Sequence, residues 1–385
     1  MRIASIHLPS FSLQAAIAAA PASPALAATA AAPGRVALAT QPVAIVDASS
    51  PVVTACSRAA WARGVRPGMV ASVARSHAPE LITLVRDPAG EAELLRALAD
   101  QLLALTPVVD LGGPPHGQHH AMLVEVPTGK RGAAFGARLV ETFATRGLHV
   151  RVGIADDRFT AGVAATVGDG DGAVTCVPRG GSAAFLAPQP LALLALPPEV
   201  QHMLECLGVR TLGAFAALPP PSVARAWDAD LQALSRGDSG ARLEAYQPSS
   251  RLRERVHVDG SVGAALQTVA TRLASRLAGR GLGAVQLTLG LGAGAPLELT
   301  IDGSISADEL GDQLARALGD ARPVLLDASV VTEAEVAPAA EPEPEHAPLM
   351  LTAVPSVLGN RPEHRRTRRG KQRPRIAPGQ ARLFS

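Results

Sequence analysis

The chain has 385 residues, 47% of them apolar but only 3% aromatic, which leaves room for two or three domains built on aliphatic cores. Its formal net charge of +2 hides a split: residues 361–385 hold nine bases against one acid, Glu363, while the other 360 residues hold 27 bases against 33 acids. Cys56, Cys176 and Cys206 are odd in number, far apart and in no C-x-x-C pair, which argues for reduced thiols and against a disulfide framework or a zinc site.

The Ala-rich start lacks the Leu-rich core of a secretory signal and is interrupted by Pro9, Pro21 and Pro24. No run of roughly 18 strongly apolar residues offers a membrane span. The expectation is a soluble, cytoplasmic protein.

In chain order, Arg2–Leu8 predicts a short buried strand stopped by Pro9, and Ser12–Ala20 a helix. An Ala/Pro loop occupies 21–35. Val43–Val46 reads as a strand, Val52–Ala55 leads into a helix over Ser57–Arg63, Ala71–His77 reads as a second helix after a glycine turn, and Leu81–Val85 as a strand. Glu91–Leu105 carries Leu94, Leu95, Leu98, Leu102 and Leu105 at helical spacing. Val108-Val109 and Met122–Val126 read as paired strands, Gly132–Arg146 as a helix, His149–Ile154 as a strand and Arg158–Val167 as a helix. This β-α-β-β-α-β order predicts a ferredoxin-like sheet with a helical insertion after its first strand.

Pro188–Tyr246 reads as all-helical, with a tight turn at Gly208 capped by Thr211. A second β-α-β-β-α-β set follows: strand Arg253–Asp259, helix Ala264–Ala278, strands Val285–Leu291 and Pro296–Ile301, helix Asp308–Leu318 and strand Val324–Thr332. Glu333–Pro348, with five Glu and repeated Pro, starts an extended acidic linker over 333–360. The tail 361–385 is too charged to bury a core, so disorder is expected there. It nonetheless ends in Gln380-Ala381-Arg382-Leu383-Phe384-Ser385. Two large apolar side chains with nothing in the tail to bury them suit a pocket on another protein, with Gln380 fixing register.

The order of these parts resembles the Y-family (translesion) DNA polymerases. Pro51–Ala55 through Gly64-Val65-Arg66-Pro67-Gly68-Met69 is similar to that family's fingers segment. Thr106-Pro107-Val108-Val109 and Val152-Gly153-Ile154-Ala155 are similar to stretches flanking its central palm strands. The resemblance implies an α+β multidomain fold. A ferredoxin-like palm would occupy 1–20 and 80–180, helical fingers 21–79, a small helical thumb 185–247 and a little-finger domain 250–332. Gln-x-x-Leu-Phe resembles the peptide by which bacterial polymerases and repair proteins bind the sliding clamp, which implies clamp contacts by Gln380, Leu383 and Phe384.

Polymerase chemistry needs a pair of divalent ions held by carboxylates. In the family one metal-binding Asp ends the first strand, a position that falls here on His7. The Asp-Glu pair of the next palm strand falls on His120 and Ala121, counting back from Glu125. Imidazole and methyl groups are poor magnesium ligands. The family's triphosphate-gripping Tyr and Arg appear as Arg58 and Trp61, and no Lys lies between Lys130 and Lys371.

This combination resembles the ImuB-type, non-catalytic subgroup. It implies no enzyme activity, no metal and no cofactor. It further implies a role as an adaptor in SOS-induced mutagenesis, with the sliding clamp, an error-prone replicative-type polymerase and a small RecA-like accessory protein as partners. Weak, sequence-independent DNA contact is expected from Arg365, Arg366, Arg368, Arg369, Lys371, Arg373 and Arg375.

Alternatives are an active, divergent polymerase and a plain DNA-binding protein. His116, His119 and His120 read as a polar hairpin loop rather than metal ligands. Arg272, Arg276 and Arg280, four apart, read either as a duplex-lining row or as a solvated face.

Overall fold

The computed structural model describes residues 1–20, 35–112, 120–129, 131–167, 173–220, 229–240, 242–258, 261–281, 286–290, 296–300, 306–319, 321, 323 and 325–331, all in a unit that spans Met1–Ala337. Nearly all of the Ala/Pro stretch 21–35, the acidic linker 333–360 and the tail 361–385 lie outside the described residues, as do His116, His119 and the side chain of His120. Three sheets and their helices make a mixed α and β fold.

The central sheet has the order β5-β6-β1-β7-β8, from β1 (Ile3–Leu8), β5 (Val109–Asp110), β6 (His120–Glu125), β7 (Arg151–Ala155) and β8 (Val174–Cys176). Its pairs are antiparallel except β7 with β8. Every residue of β1 is buried, because both faces of the sheet are covered. Ala4, Ile6 and Leu8 pack against Leu98 and Leu102 of helix α5 (Pro88–Leu102) and Phe135, Leu139 and Phe143 of helix α6 (Gly132–Ala144). On the other face Ile3 packs against Ala161 and Ala164 of helix α7 (Arg158–Val167). There α7 lies so close to β7 that a Cβ on Gly153 would stand 2.1 Å from the Ala161 carbonyl, so only glycine fits.

Between β1 and α5 lie helix α1 (Phe11–Ala19), helix α2 (Arg35–Thr40) and a second sheet of order β3-β2-β4. Its strands are β2 (Val43–Val46), β3 (Val53–Cys56) and β4 (Ile82–Val85), with β2 antiparallel to β3 and parallel to β4. Helices α3 (Arg58–Ala62) and α4 (Ala71–His77) pack Ala60, Ala71 and Ala74 onto it. Ser57 caps α3, its hydroxyl accepting from the Ala60 amide.

Short helices follow: α8 (Ser182–Leu186), a 3-10 turn (Leu191–Leu194), α9 (Pro198–Cys206), α10 (Leu212–Ala216) and α11 (Ala229–Ser235). They share a core of Leu186, Leu191, Leu194, Leu204, Leu212 and Phe215. Thr211 caps α10 as expected, its hydroxyl accepting from the Ala214 amide.

A third sheet, β11-β10-β12-β9, is antiparallel throughout, with β9 (Arg251–His257), β10 (Gln286–Gly290), β11 (Leu297–Thr300) and β12 (Leu325–Val331). Helices α12 (Val262–Arg280) and α13 (Ala307–Leu318) cover one face through Leu266, Val269, Leu273, Leu310 and Leu314. A capping box between Ser306 and Glu309 starts α13.

Several sequence expectations are corrected. Helix α5 starts three residues early, because Asp87 accepts from the Gly90 amide and Pro88 is already suited to the first helical position. The described residues between Ser235 and β9 form turns and irregular backbone rather than helix, and the Tyr246 amide donates to the Val109 carbonyl at 2.6 Å along the edge of β5. Strand β8 and helix α2 were not anticipated; three and six residues are too few to show a period.

Candidate functional site

The antiparallel register of β1 and β6 sets His7 opposite Ala121 and Leu8 opposite His120, so the three positions singled out in the sequence meet at one end of the central sheet. On the other side of β1, Arg151 of β7 stands opposite His7. His7 is buried, and Arg151 donates to the Thr166 carbonyl at 3.1 Å.

Acids elsewhere on the sheet are engaged or distant. Glu125 pairs in register with Ile3, four residues from the His7 end, which is about 13 Å along the strand. Buried Asp110 accepts from the Gly112 amide at 2.8 Å and the Glu244 amide at 2.9 Å. Asp156 pairs with Arg2 at 3.4 Å, and Asp157 caps α7 through the Thr160 amide at 2.9 Å. Among the described residues no group of three or more His, Cys, Asp or Glu could hold a metal ion. An imidazole, a methyl group and a neighbouring guanidinium do not fit a pair of divalent ions, which require clustered oxygen donors.

A second feature lies on β9. Arg251, Arg253 and Arg255 are exposed on one face of the strand, while Leu252 and Glu254 point inward and are buried. The arginines recur about every 6.7 Å along the strand. In register on β12 stand Val331, Ser329 and Asp327. Arg253 and Arg255 both bond to Asp327, Arg253 Nε at 2.7 Å and Arg255 Nε at 3.1 Å. Burial pushes the Asp327 carboxyl up, but the two arginine bonds outweigh it and hold the group below the usual carboxylate range. One acid thus stands beside three bases, and Arg251, Arg253 and Asp327 line a shallow cavity of about 380 Å³ to which Thr288, Gly290 and Ser329 contribute. The period-2 Arg-Leu-Arg-Glu-Arg run carries this signal in the sequence, although strand spacing alone does not say which face is exposed.

The inner side of the same strand belongs to a buried ionic junction. Asp100 of α5 is fully buried and accepts from Arg276 Nη2 at 2.7 Å, Arg280 Nη2 at 2.7 Å and the Tyr246 hydroxyl at 3.1 Å. Glu254 accepts from Arg146 Nη2 at 2.8 Å and Arg276 Nη1 at 3.1 Å. Gln101 accepts from Arg146 Nε at 3.0 Å and donates to Ser275 at 2.9 Å. Burial pushes the Glu254 carboxyl up, yet Arg146, Arg276 and Arg272 together hold it below its ordinary value.

The helices touch backbone to backbone at this point, since a Cβ on Gly279 would stand 2.0 Å from the Asp100 carbonyl. Arg276 and Arg280 therefore neither line a duplex nor face solvent. Helical spacing put them on one face, but their acid partner Asp100 lies 176 residues from Arg276 in sequence.

The clamp-binding residues Gln380, Leu383 and Phe384 lie outside the described residues. So do the tail bases Arg365, Arg366, Arg368, Arg369, Lys371, Arg373 and Arg375. Among the described residues no helix is long and apolar enough to cross a membrane.

Residues 24–166, which take in β5, β6 and β7 of the central sheet and all of β2, β3 and β4, but not β1, match the sequence model of the impB/mucB/samB family (IMS). Over 196 residues the chain is 31% identical to Protein ImuB of Caulobacter vibrioides strain NA1000 / CB15N, and it matches Protein ImuB of strain ATCC 19089 / CIP 103742 / CB 15 equally. ImuB is a homologue of this chain over that stretch, which is 47% of this chain and 39% of the relative, so the chain matches about two-fifths of the relative's length. Among solved structures, DinB from Sulfolobus solfataricus aligns with 86% of this chain and 99% of its own at 12% identity and a TM-score of 0.46.

Proposed function

We propose that this chain is a non-catalytic, Y-family-polymerase-like adaptor of translesion synthesis and damage-induced mutagenesis, working in the cytoplasm. In this reading the central sheet is the palm, the β3-β2-β4 sheet with α3 and α4 the fingers, the short helices the thumb, and the β9–β12 sheet the little finger. The observation that carries the proposal is the end of β1 and β6, where His7 and Ala121 meet opposite Arg151 in place of a carboxylate cluster. The homology to ImuB over 196 residues supports the same role. Primer extension by the purified chain tests it: template-directed synthesis with magnesium or manganese would overturn the non-catalytic reading.

With chemistry gone, what remains is placement. Gln380, Leu383 and Phe384 hold the sliding clamp, and the body recruits an error-prone replicative-type polymerase and a small RecA-like protein. Duplex or single-stranded DNA is held without sequence preference by the β9 arginines and by the tail bases. For the clamp, Leu383→Ala/Phe384→Ala removes two apolar anchors worth roughly 3–5 kcal/mol, enough to abolish a micromolar interaction. Binding by the double variant as tight as by the intact chain, measured by surface plasmon resonance on immobilised clamp, would remove the clamp from the account.

A further inference from the structure

We infer that Trp61, backed by Arg66, is a stacking site for an unpaired nucleobase, which makes the β3-β2-β4 unit a binder of single-stranded nucleic acid. The inference extends the nucleic-acid side of the proposed function and stands on separate residues.

Helix α3 turns Ala60 into the core, where it is fully buried, and leaves Trp61 half exposed, at 50%, on the outside. Aromatics are scarce in this chain, and Phe11, Phe143 and Phe215 are packed inside, so a Trp left outside is not filling a core. Its ring is not bare either. The Arg66 guanidinium lies 4.0 Å from the ring centroid. It is held there by bonds from Nη1 to the Trp61 carbonyl at 2.6 Å and the Val65 carbonyl at 2.9 Å. The cation is thus stacked and anchored at a fixed place rather than sweeping through solvent.

The surroundings select the ligand. Residues 51–80 contain Arg58, Arg63, Arg66 and Arg75 against a single acid, Glu80, which is taken up by Arg63 at 2.6 Å. Arg58, on the same helix as Trp61, and Arg75 of α4 are exposed. A ring that offers a π-face among arginines suits a base with its phosphates: the base stacks on the indole and the cations neutralise the backbone. Bases inside a duplex already stack on one another, so the site favours an unpaired strand. An acidic protein segment would satisfy the arginines but would leave the planar ring without a matching partner.

The chain has two tryptophans, Trp61 and Trp227, so Trp227→Phe makes Trp61 the sole indole reporter. This full-length variant is titrated with an oligothymidylate and, separately, with a blunt duplex of equal length, following indole emission and the anisotropy of a labelled strand together. The expected result is quenching that saturates with the single strand and is absent with the duplex. Trp61→Ala in the otherwise native chain should weaken single-strand binding by about fivefold to a hundredfold, the range that one stacked base contributes, and Trp61→Phe by less.

Single-strand binding with unchanged emission and equal affinity for Trp61→Ala would overturn the inference, because other bases would then be doing the holding. Failure of the intact chain to bind the oligonucleotide overturns it as well. Either result leaves the clamp and primer-extension tests of the adaptor reading untouched. Circular dichroism of each variant identifies a loss of affinity that comes from misfolding, and a folded Trp61→Phe variant that binds as weakly as Trp61→Ala would count against stacking, because Phe still offers an aromatic face.

Discussion

Tyr246 is the chain's one tyrosine, and its hydroxyl donates to buried Asp100. Burial pushes its pKa up to about 12, and the Asp100 charge beside it acts in the same direction. A phenol raised above its unfolded value, about 10, stabilises the fold fully below pH 10. That contribution is lost as pH rises toward 12. A spectrophotometric titration of the intact chain therefore follows this one residue and should find its midpoint near 12, with Tyr246→Phe flattening the alkaline decline in thermal stability; a midpoint at 10 would place the phenol in solvent.

The neighbouring Glu254 works at the acid end. Its lowered pKa means that its contribution is present above the unfolded value near 4.3 and falls away as pH drops below it. Arg146→Ala leaves this carboxylate buried beside only part of its counter-charge and should cost about 3–5 kcal/mol in urea unfolding. A cost below about 1 kcal/mol would mean that water enters the junction.

Among the elements, β9 serves two purposes on its two faces. Its inward Glu254 ties the third sheet to Arg146, and its outward Arg251, Arg253 and Arg255 make a basic row at the sheet edge. Each arginine that neutralises a phosphate contributes about 0.9 to the slope of log affinity against log salt on duplex DNA. Arg251→Ala/Arg255→Ala should lower that slope by roughly 2 in fluorescence anisotropy, with the junction intact because Glu254 is untouched. An unchanged slope would leave DNA contact to other residues.

Much at this scale was legible from local pattern. The strand Val43–Val46 and the helices Ala71–His77 and Arg158–Val167 fall where their apolar spacing placed them. The Thr211 cap was readable because a cap is a contact with a near neighbour. The roles of Arg276 and Arg280 were not, because burial of a charge is decided by a distant partner that spacing along one helix does not reveal. The meeting of His7 with Ala121 rested on aligning two separate strands, and the observed register brings those positions together.

Across the whole molecule, the apolar cores of the central and third sheets are separate sets of residues, one around Ile6, Leu98 and Phe143 and the other around Leu273, Leu287 and Leu326. What crosses from α5 to α12 and β9 is the ionic junction, with Gly279 set against the Asp100 backbone. Buried ion pairs add little net stability over apolar packing, but an arrangement that separates a buried charge from its partner is strongly disfavoured. A junction of this kind therefore fixes which way the β9 arginine row faces relative to the central sheet. Such a body suits a scaffold that presents surfaces to partners in one orientation, whether or not it carries out chemistry.

We propose that the body combines a polymerase-like architecture with an absence of polymerase chemistry, and primer extension decides it. Full-length chain at concentrations that saturate a primer–template is incubated with all four deoxynucleotides and either magnesium or manganese. No template-directed extension above the protein-free baseline is expected with either ion, because His7 and Ala121 supply no carboxylate to hold it. Incorporation that follows the template and co-elutes with the chain through purification would contradict it.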